Sequence, residues 1–157
     1  MKAFSLFVIT LCACWNLDNF KGPITTALTL ECVDTSMTVD GKFFYCSINT
    51  IPKLEIYKNN GHGFTLMEVF EFTSIPNSVT NTPYGEQVML GLAKFIYIYS
   101  LVNDAYEQTH ILDAGSRVLR FYLSSNIIIV PLRNGMVKVY NNSNYDLVQT
   151  LVSAGII

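Results

Sequence analysis

The sequence predicts an all-β fold built from a repeated unit of four short antiparallel strands. Apolar runs of four to eight residues, rich in the aromatic and β-branched types that suit a pleated surface, are broken by Gly, Pro, Asn or Asp roughly every 8 to 12 residues. No segment carries a sustained apolar stripe at the 3.6-residue period of a helix. A short motif also returns at a fixed interval: Leu54-Glu55-Ile56-Tyr57, Ile96-Tyr97-Ile98-Tyr99 and Val137-Lys138-Val139-Tyr140 each place aliphatic residues three and one positions before a Tyr. Tyr57 and Tyr99 are 42 residues apart, and Tyr99 and Tyr140 are 41 apart.

Each motif is the third strand of a unit. A first strand is expected at 27–39, weakly at 78–82, and at 118–123. The second strands are 43–48 (FFYCSI), 88–92 (VMLGL) and 127–132 (IIIVPL), introduced by Asp40-Gly41, Pro83-Tyr84-Gly85 and Ser124-Ser125-Asn126. Fourth strands follow at 64–72, 106–112 and 145–152. Gly61, Gly63, Gly85, Gly91, Gly115 and Gly135 read as turn residues. A twisted four-stranded sheet recurring every 40 to 45 residues buries its faces only against its neighbours, so the sequence predicts a β-propeller-like array of blades. One more step back from Tyr57 lands on Trp15, with Cys12 and Cys14 at the aliphatic positions. The units are then 1–30 (partial), 31–72, 73–114 and 115–157 of a single partial domain. The 157 residues hold about 3.7 such units, whereas propellers close with roughly four to eight blades. An incomplete ring is expected: part of a longer protein, an arc completed by another chain, or an open stack. Exposed edges around Ile127-Ile128-Ile129-Val130 would favour oligomerisation or edge pairing.

Two segments resemble the WD-repeat propellers. Val39-Asp40-Gly41-Lys42-Phe43-Phe44-Tyr45 is similar to that family's turn and following strand, and Asn134-Gly135-Met136-Val137-Lys138-Val139-Tyr140-Asn141 to its motif strand, continued by 146–151. Tyr stands where the motif has Trp, and Lys58, Ser100 or Asn141 stands where it has Asp. With the family's earlier Gly-His pair also missing, its buried Asp-His network is not expected. The resemblance implies a module that binds partners through the turns on one rim: Asn49, Thr50 and Lys53, then Ala93 and Lys94, then Arg133 and Asn134.

Composition narrows the function further. The chain is 50% hydrophobic and 14% charged, against about 25% charged in average domains, which excludes a disordered polar chain. Its net charge of −2 comes without long runs of either sign, so nucleic acid is not an expected partner. Residues 1–14 (MKAFSLFVITLCAC) have two readings. The stretch resembles a signal peptide, giving a secreted chain in which Cys32 and Cys46 could pair and Asn141-Asn142-Ser143 would be a glycosylation sequon. Alternatively it is a strand pair in phase with the repeat, in a cytoplasmic protein, and this reading is preferred. The run breaks at Asn16 and Asp18, too short to span a membrane, and no other segment is long enough.

Catalytic constellations are not expected. His62 sits in a Gly-rich turn and His110 in a strand, both read as ordinary histidines. The cysteines lack metal-ligand spacing and read as buried structural thiols. No nucleophile elbow surrounds Ser47 or Ser116, and no phosphate-binding glycine loop occurs. Glu68 and Glu71, and Asp104 and Glu107, read as solvated edges, and neither Asp34 nor Asp40 opens a calcium loop. The three motif tyrosines, with Trp15, read as core residues packing between blades, with a hydroxyl able to meet a backbone partner. The expectation is a non-catalytic protein–protein interaction or scaffold module, without cofactor or metal, whose partners are proteins or further propeller blades. The alternative is a secreted propeller domain that binds a ligand or forms part of an enzyme.

Overall fold

The computed structural model describes residues 32–48 and 50–152. Trp15, Cys12, Cys14 and both readings of 1–14 lie outside the described residues, as does Asn49. The fold is all-β, an incomplete propeller-like array of three four-stranded antiparallel sheets. The first sheet runs β1 (Cys32–Met37), β2 (Phe43–Ile48), β3 (Lys53–Asn59), β4 (Phe64–Glu71). The second runs β5 (Pro76–Asn81), β6 (Gln87–Leu92), β7 (Phe95–Val102), β8 (Ala105–Asp113). The third runs β9 (Tyr122–Leu123), β10 (Ile127–Pro131), β11 (Met136–Asn141), β12 (Leu147–Val152). Sequential strands pair in order within each sheet.

The repeated motif explains the stacking. Side chains alternate along a strand, so the aliphatic pair faces one side of its sheet and the following Tyr the other. Leu54 and Ile56 face the second sheet, in one cluster with Val79, Val88, Leu90 and Tyr99. Ile96 and Ile98 face the third, in one cluster with Ile128, Val130 and Tyr140. Tyr99 and Tyr140 therefore pack back on the preceding sheet, while the aliphatic pairs of β3 and β7 pack forward on the next. Register shifts fall at the same place in all three third strands, at Ile56/Tyr57, Ile98/Tyr99 and Val139/Tyr140. Such a bulge adds twist just before the chain turns into the outer strand.

One weak expectation is borne out and others are corrected. The weak strand at 78–82 is real: Pro76–Asn81 pairs along its length with β6, and Val79 N–H donates to Asp34 Oδ2 across the sheets at 2.9 Å. The strand expected at 118–123 shrinks to Tyr122–Leu123, with Val118 making an isolated bridge to Leu132. Gly91 is not a turn residue. It lies inside β6, where an added Cβ would come within 2.8 Å of Val118, so the missing side chain lets the second and third sheets meet. Cys32 and Cys46 are not free thiols but a disulfide between β1 and β2, Cα atoms 5.4 Å apart. Two of the motif hydroxyls find no backbone partner: Tyr57 donates to the Glu55 carboxylate at 2.5 Å, and the buried Tyr140 hydroxyl has no partner among the described residues.

Candidate functional site

Antiparallel order puts the three β2–β3-type turns on one edge of the array. Ala93-Lys94 joins β6 to β7, and 132–135 joins β10 to β11. Beside them run the linkers between sheets, and a shallow hollow of about 370 Å³ is lined by Ser74, Ile75, Asn77, Ala93 and Arg117. Arg133 N–H donates to the Arg117 carbonyl at 2.9 Å, so the second-to-third linker is tied to the β10–β11 turn. Arg117 and Arg133 are both exposed, and neither forms an ion pair among the described residues.

The expected rim residues divide by how they are held. Thr50, Ala93, Lys94, Arg133 and Asn134 are exposed. Lys53 is instead the first residue of β3, its ammonium on Glu55 at 2.5 Å. Burial alone would raise the Glu55 carboxyl, but bonds from Lys53 and Tyr57 outweigh it and hold the group below the usual glutamate range. Lys94 reaches Asp113 at 3.5 Å and lies over the Phe95 ring at 5.0 Å, a surface pair worth little by itself. Asn134 closes its own turn, its side-chain oxygen accepting from Met136 N–H at 3.2 Å. The rim thus places Ala93 and Arg117 around one hollow, ties Arg133 to Arg117 through the backbone and leaves Thr50 on the first sheet. Arg117 escaped the sequence reading because it sits in a linker rather than a turn, and only the backbone bond to Arg133 reveals its place.

At the opposite edge the ends of the innermost strands converge. A hollow of about 440 Å³ is lined from all three sheets, by Ser36 and Met37, by Thr80 to Pro83, and by Leu123 to Ser125 with Asn142.

The groups checked for chemistry take structural roles. Both Glu68 oxygens accept from Tyr106 N–H, at 3.2 and 3.0 Å, so Glu68 ties β4 to β8 rather than lining a solvated edge. Asp104 sits with Asn103 in a two-residue turn of positive φ. His110 is exposed and packs against Tyr145 with ring centroids 4.6 Å apart. Among the described residues no group of three or more His, Cys, Asp or Glu is placed to hold a metal ion, and no helix is long and apolar enough to cross a membrane. No protein-family model and no curated protein matches the chain.

Proposed function

We propose that the chain is a non-catalytic protein–protein interaction module of WD-like propeller type, working within a larger protein or assembly. The observation that carries this reading is the rim where exposed Arg117 lines an open hollow with Ala93 and exposed Arg133 is joined to Arg117 through the backbone, neither arginine having an acidic partner among the described residues. Two exposed, unpaired arginines on one rim, one of them lining a hollow with Ile75 and Ala93, suit an acidic segment of a protein partner, because each guanidinium can take a carboxylate through two parallel bonds. The third sheet supports continuation into an assembly. Val137 and Val139 are only half-buried, whereas the equivalent Leu54, Ile56, Ile96 and Ile98 are fully buried between sheets. Its outer strand, β12, is exposed throughout and carries no charge, while β4 and β8 bear Glu68, Glu71, Glu107 and Asp113. Uncharged edges of this kind accept further strands.

The test is site-specific photocrosslinking in cells from Ala93 on the rim and, as control, from Lys42 on the other edge. A defined partner protein crosslinked from Ala93, and lost in the Arg117→Glu/Arg133→Glu variant, is the expected result. Equal crosslinking from both edges, or crosslinking indifferent to the two arginines, would contradict the reading.

One observation favours the extracytoplasmic reading. The Cys32–Cys46 bridge belongs to an oxidising compartment, since cytosolic thiols are kept reduced. If the protein is exported, both cysteines in cell-derived protein resist alkylation until a reductant is added, and the mature chain starts near Trp15. Free thiols together with an intact Met1 or Lys2 would return the protein to the cytoplasm.

A further inference from the structure

The turn between β11 and β12 carries a motif that the rim leaves unused. Asn141-Asn142-Ser143 matches the pattern Asn-x-Ser/Thr with x other than Pro, and no other asparagine of the chain has Ser or Thr two residues on. Such a triplet takes a bulky modification only where the surface leaves room for it. Asn142, in the middle, is the anchor. Its N–H donates to the Asn126 carbonyl at 2.9 Å and its Nδ2 to the Ser124 carbonyl at 3.1 Å, which ties the turn to the one between β9 and β10. The two outer residues bond to each other: Ser143, which is exposed, donates from N–H and from Oγ–H to Asn141 Oδ1 at 2.8 and 2.7 Å. Half-buried Asn141 closes β11, and its amide nitrogen is left over. Asn141 Nδ2 bonds to nothing among the described residues and, unlike Asn142 Oδ1, is not one of the buried atoms without a partner. A second, separate observation points the same way. The Cys32–Cys46 bridge belongs to the oxidising, secretory environment in which this triplet is used.

We infer that Asn141 is the acceptor of an N-linked glycan. The donor class is an oligosaccharide carried on a polyprenyl diphosphate. Asn141 Nδ2 attacks C1 of the donor's first sugar, a new N–C1 bond replaces the C1–O bond to the diphosphate, and the diphosphate leaves with the electron pair. The amide gives up one hydrogen as a proton to a base of the transferase, and nothing is oxidised or reduced. Because β11 runs away from the rim, the glycan stands on the opposite edge of the sheets, and the turns that hold Ala93 and Arg133 remain open to a protein partner. The inference rests on the extracytoplasmic reading and is independent of the rim.

The test uses the full chain recovered from the cells that produce it. Peptide N-glycosidase is expected to give one discrete increase in gel mobility and to convert residue 141, and no other asparagine, to Asp in the peptide mass spectrum. Asn141→Gln and Ser143→Ala are expected to abolish the shift. Ser143→Thr is expected to keep it, because the triplet takes either hydroxyl residue, and this variant separates loss of the acceptor from damage to the turn. An unmodified Asn141 in a chain that is secreted, with cysteines that resist alkylation until reduced, overturns the inference and leaves export standing. An unmodified chain with free thiols and an intact Met1 overturns both. A mobility shift that survives Asn141→Gln overturns the assignment to this residue. Loss of rim crosslinking with the glycan in place faults only the rim reading.

Discussion

The seam between the first and second sheets and the seam between the second and third use the same motif yet differ in chemistry. The first is aromatic and wired by polar bonds. Phe70 packs on Tyr99 at 4.6 Å between ring centroids, and Tyr45 and Tyr106 meet edge to face at 6.0 Å. Tyr45 O–H donates to the Tyr106 oxygen at 2.6 Å, and Tyr106 O–H donates to the Gly85 carbonyl at 2.6 Å. Burial raises both hydroxyls above the usual tyrosine range, with the Tyr106 hydroxyl pushed up to about 12. The second seam is chiefly aliphatic, formed by Met89, Ile96, Ile98, Val118, Ile128, Val130 and Leu132, and its buried Tyr140 hydroxyl bonds to nothing among the described residues. The motif fixes which face meets which, and the residues around it decide whether a seam is held chiefly by buried hydrogen bonds or chiefly by packing; at the second seam Lys138 donates to the Asp113 carbonyl at 3.2 Å only at the exposed margin.

The largest expected effect comes from Gly85→Ala. Gly85 has φ +81, and a Cβ there would lie 2.8 Å from Tyr45 Oη and 2.9 Å from Phe43 and Thr38, so the substitution strains the turn and pushes the tyrosine chain apart. A loss above about 3 kcal/mol in chemical denaturation is expected, from overpacking and a disfavoured φ together. Gly91→Ala tests the other seam, where only packing against Val118 is at stake, and should cost about 1 to 3 kcal/mol. If Gly91→Ala proved the worse of the two, the polar bonds would not distinguish the seams.

A smaller effect belongs to the outward-facing side of the first sheet. The Glu55 carboxyl is held below its usual range in the folded protein, so the stability it adds is present above the unfolded glutamate pKa of about 4.3. That stability is lost as pH falls through the lower folded value. The melting temperature of the native protein should therefore fall more steeply below that pH than that of Glu55→Gln, and parallel curves would show that the Lys53–Glu55–Tyr57 group adds nothing.

Much of this was legible in the residues. Strands with a clear apolar run and a Gly, Pro or Asn turn before them, such as 43–48 and 88–92, fall close to their expected ends. β5 was only weakly visible because PNSVTN has a single strongly apolar residue, and pairing with β6 together with the Asp34 bond makes it a strand. β9 was overread because Val118 and Phe121 are buried between sheets rather than paired in a strand. The sequence favours buried free thiols over the Cys32–Cys46 bridge, because the cysteines lie among apolar residues. Only the β1–β2 pairing, with Thr35 opposite Cys46 and a register shift between Cys32 and Asp34, shows that the sulfurs meet. Of the sites, the rim turns follow from strand order, whereas the place of Arg117 depends on the backbone bond from the linker to the β10–β11 turn, which no local pattern encodes.

The claim that one seam is held by buried polar bonds and the other chiefly by packing is tested most directly by removing one hydroxyl from each. Tyr106→Phe leaves the buried Gly85 carbonyl without its donor and Tyr45 without its acceptor, and should cost about 2 to 3 kcal/mol by urea denaturation. Tyr140→Phe removes a hydroxyl that is buried and unpaired, and should leave stability unchanged or slightly raised. Equal losses in the two variants, or a larger loss at Tyr140, would contradict the account.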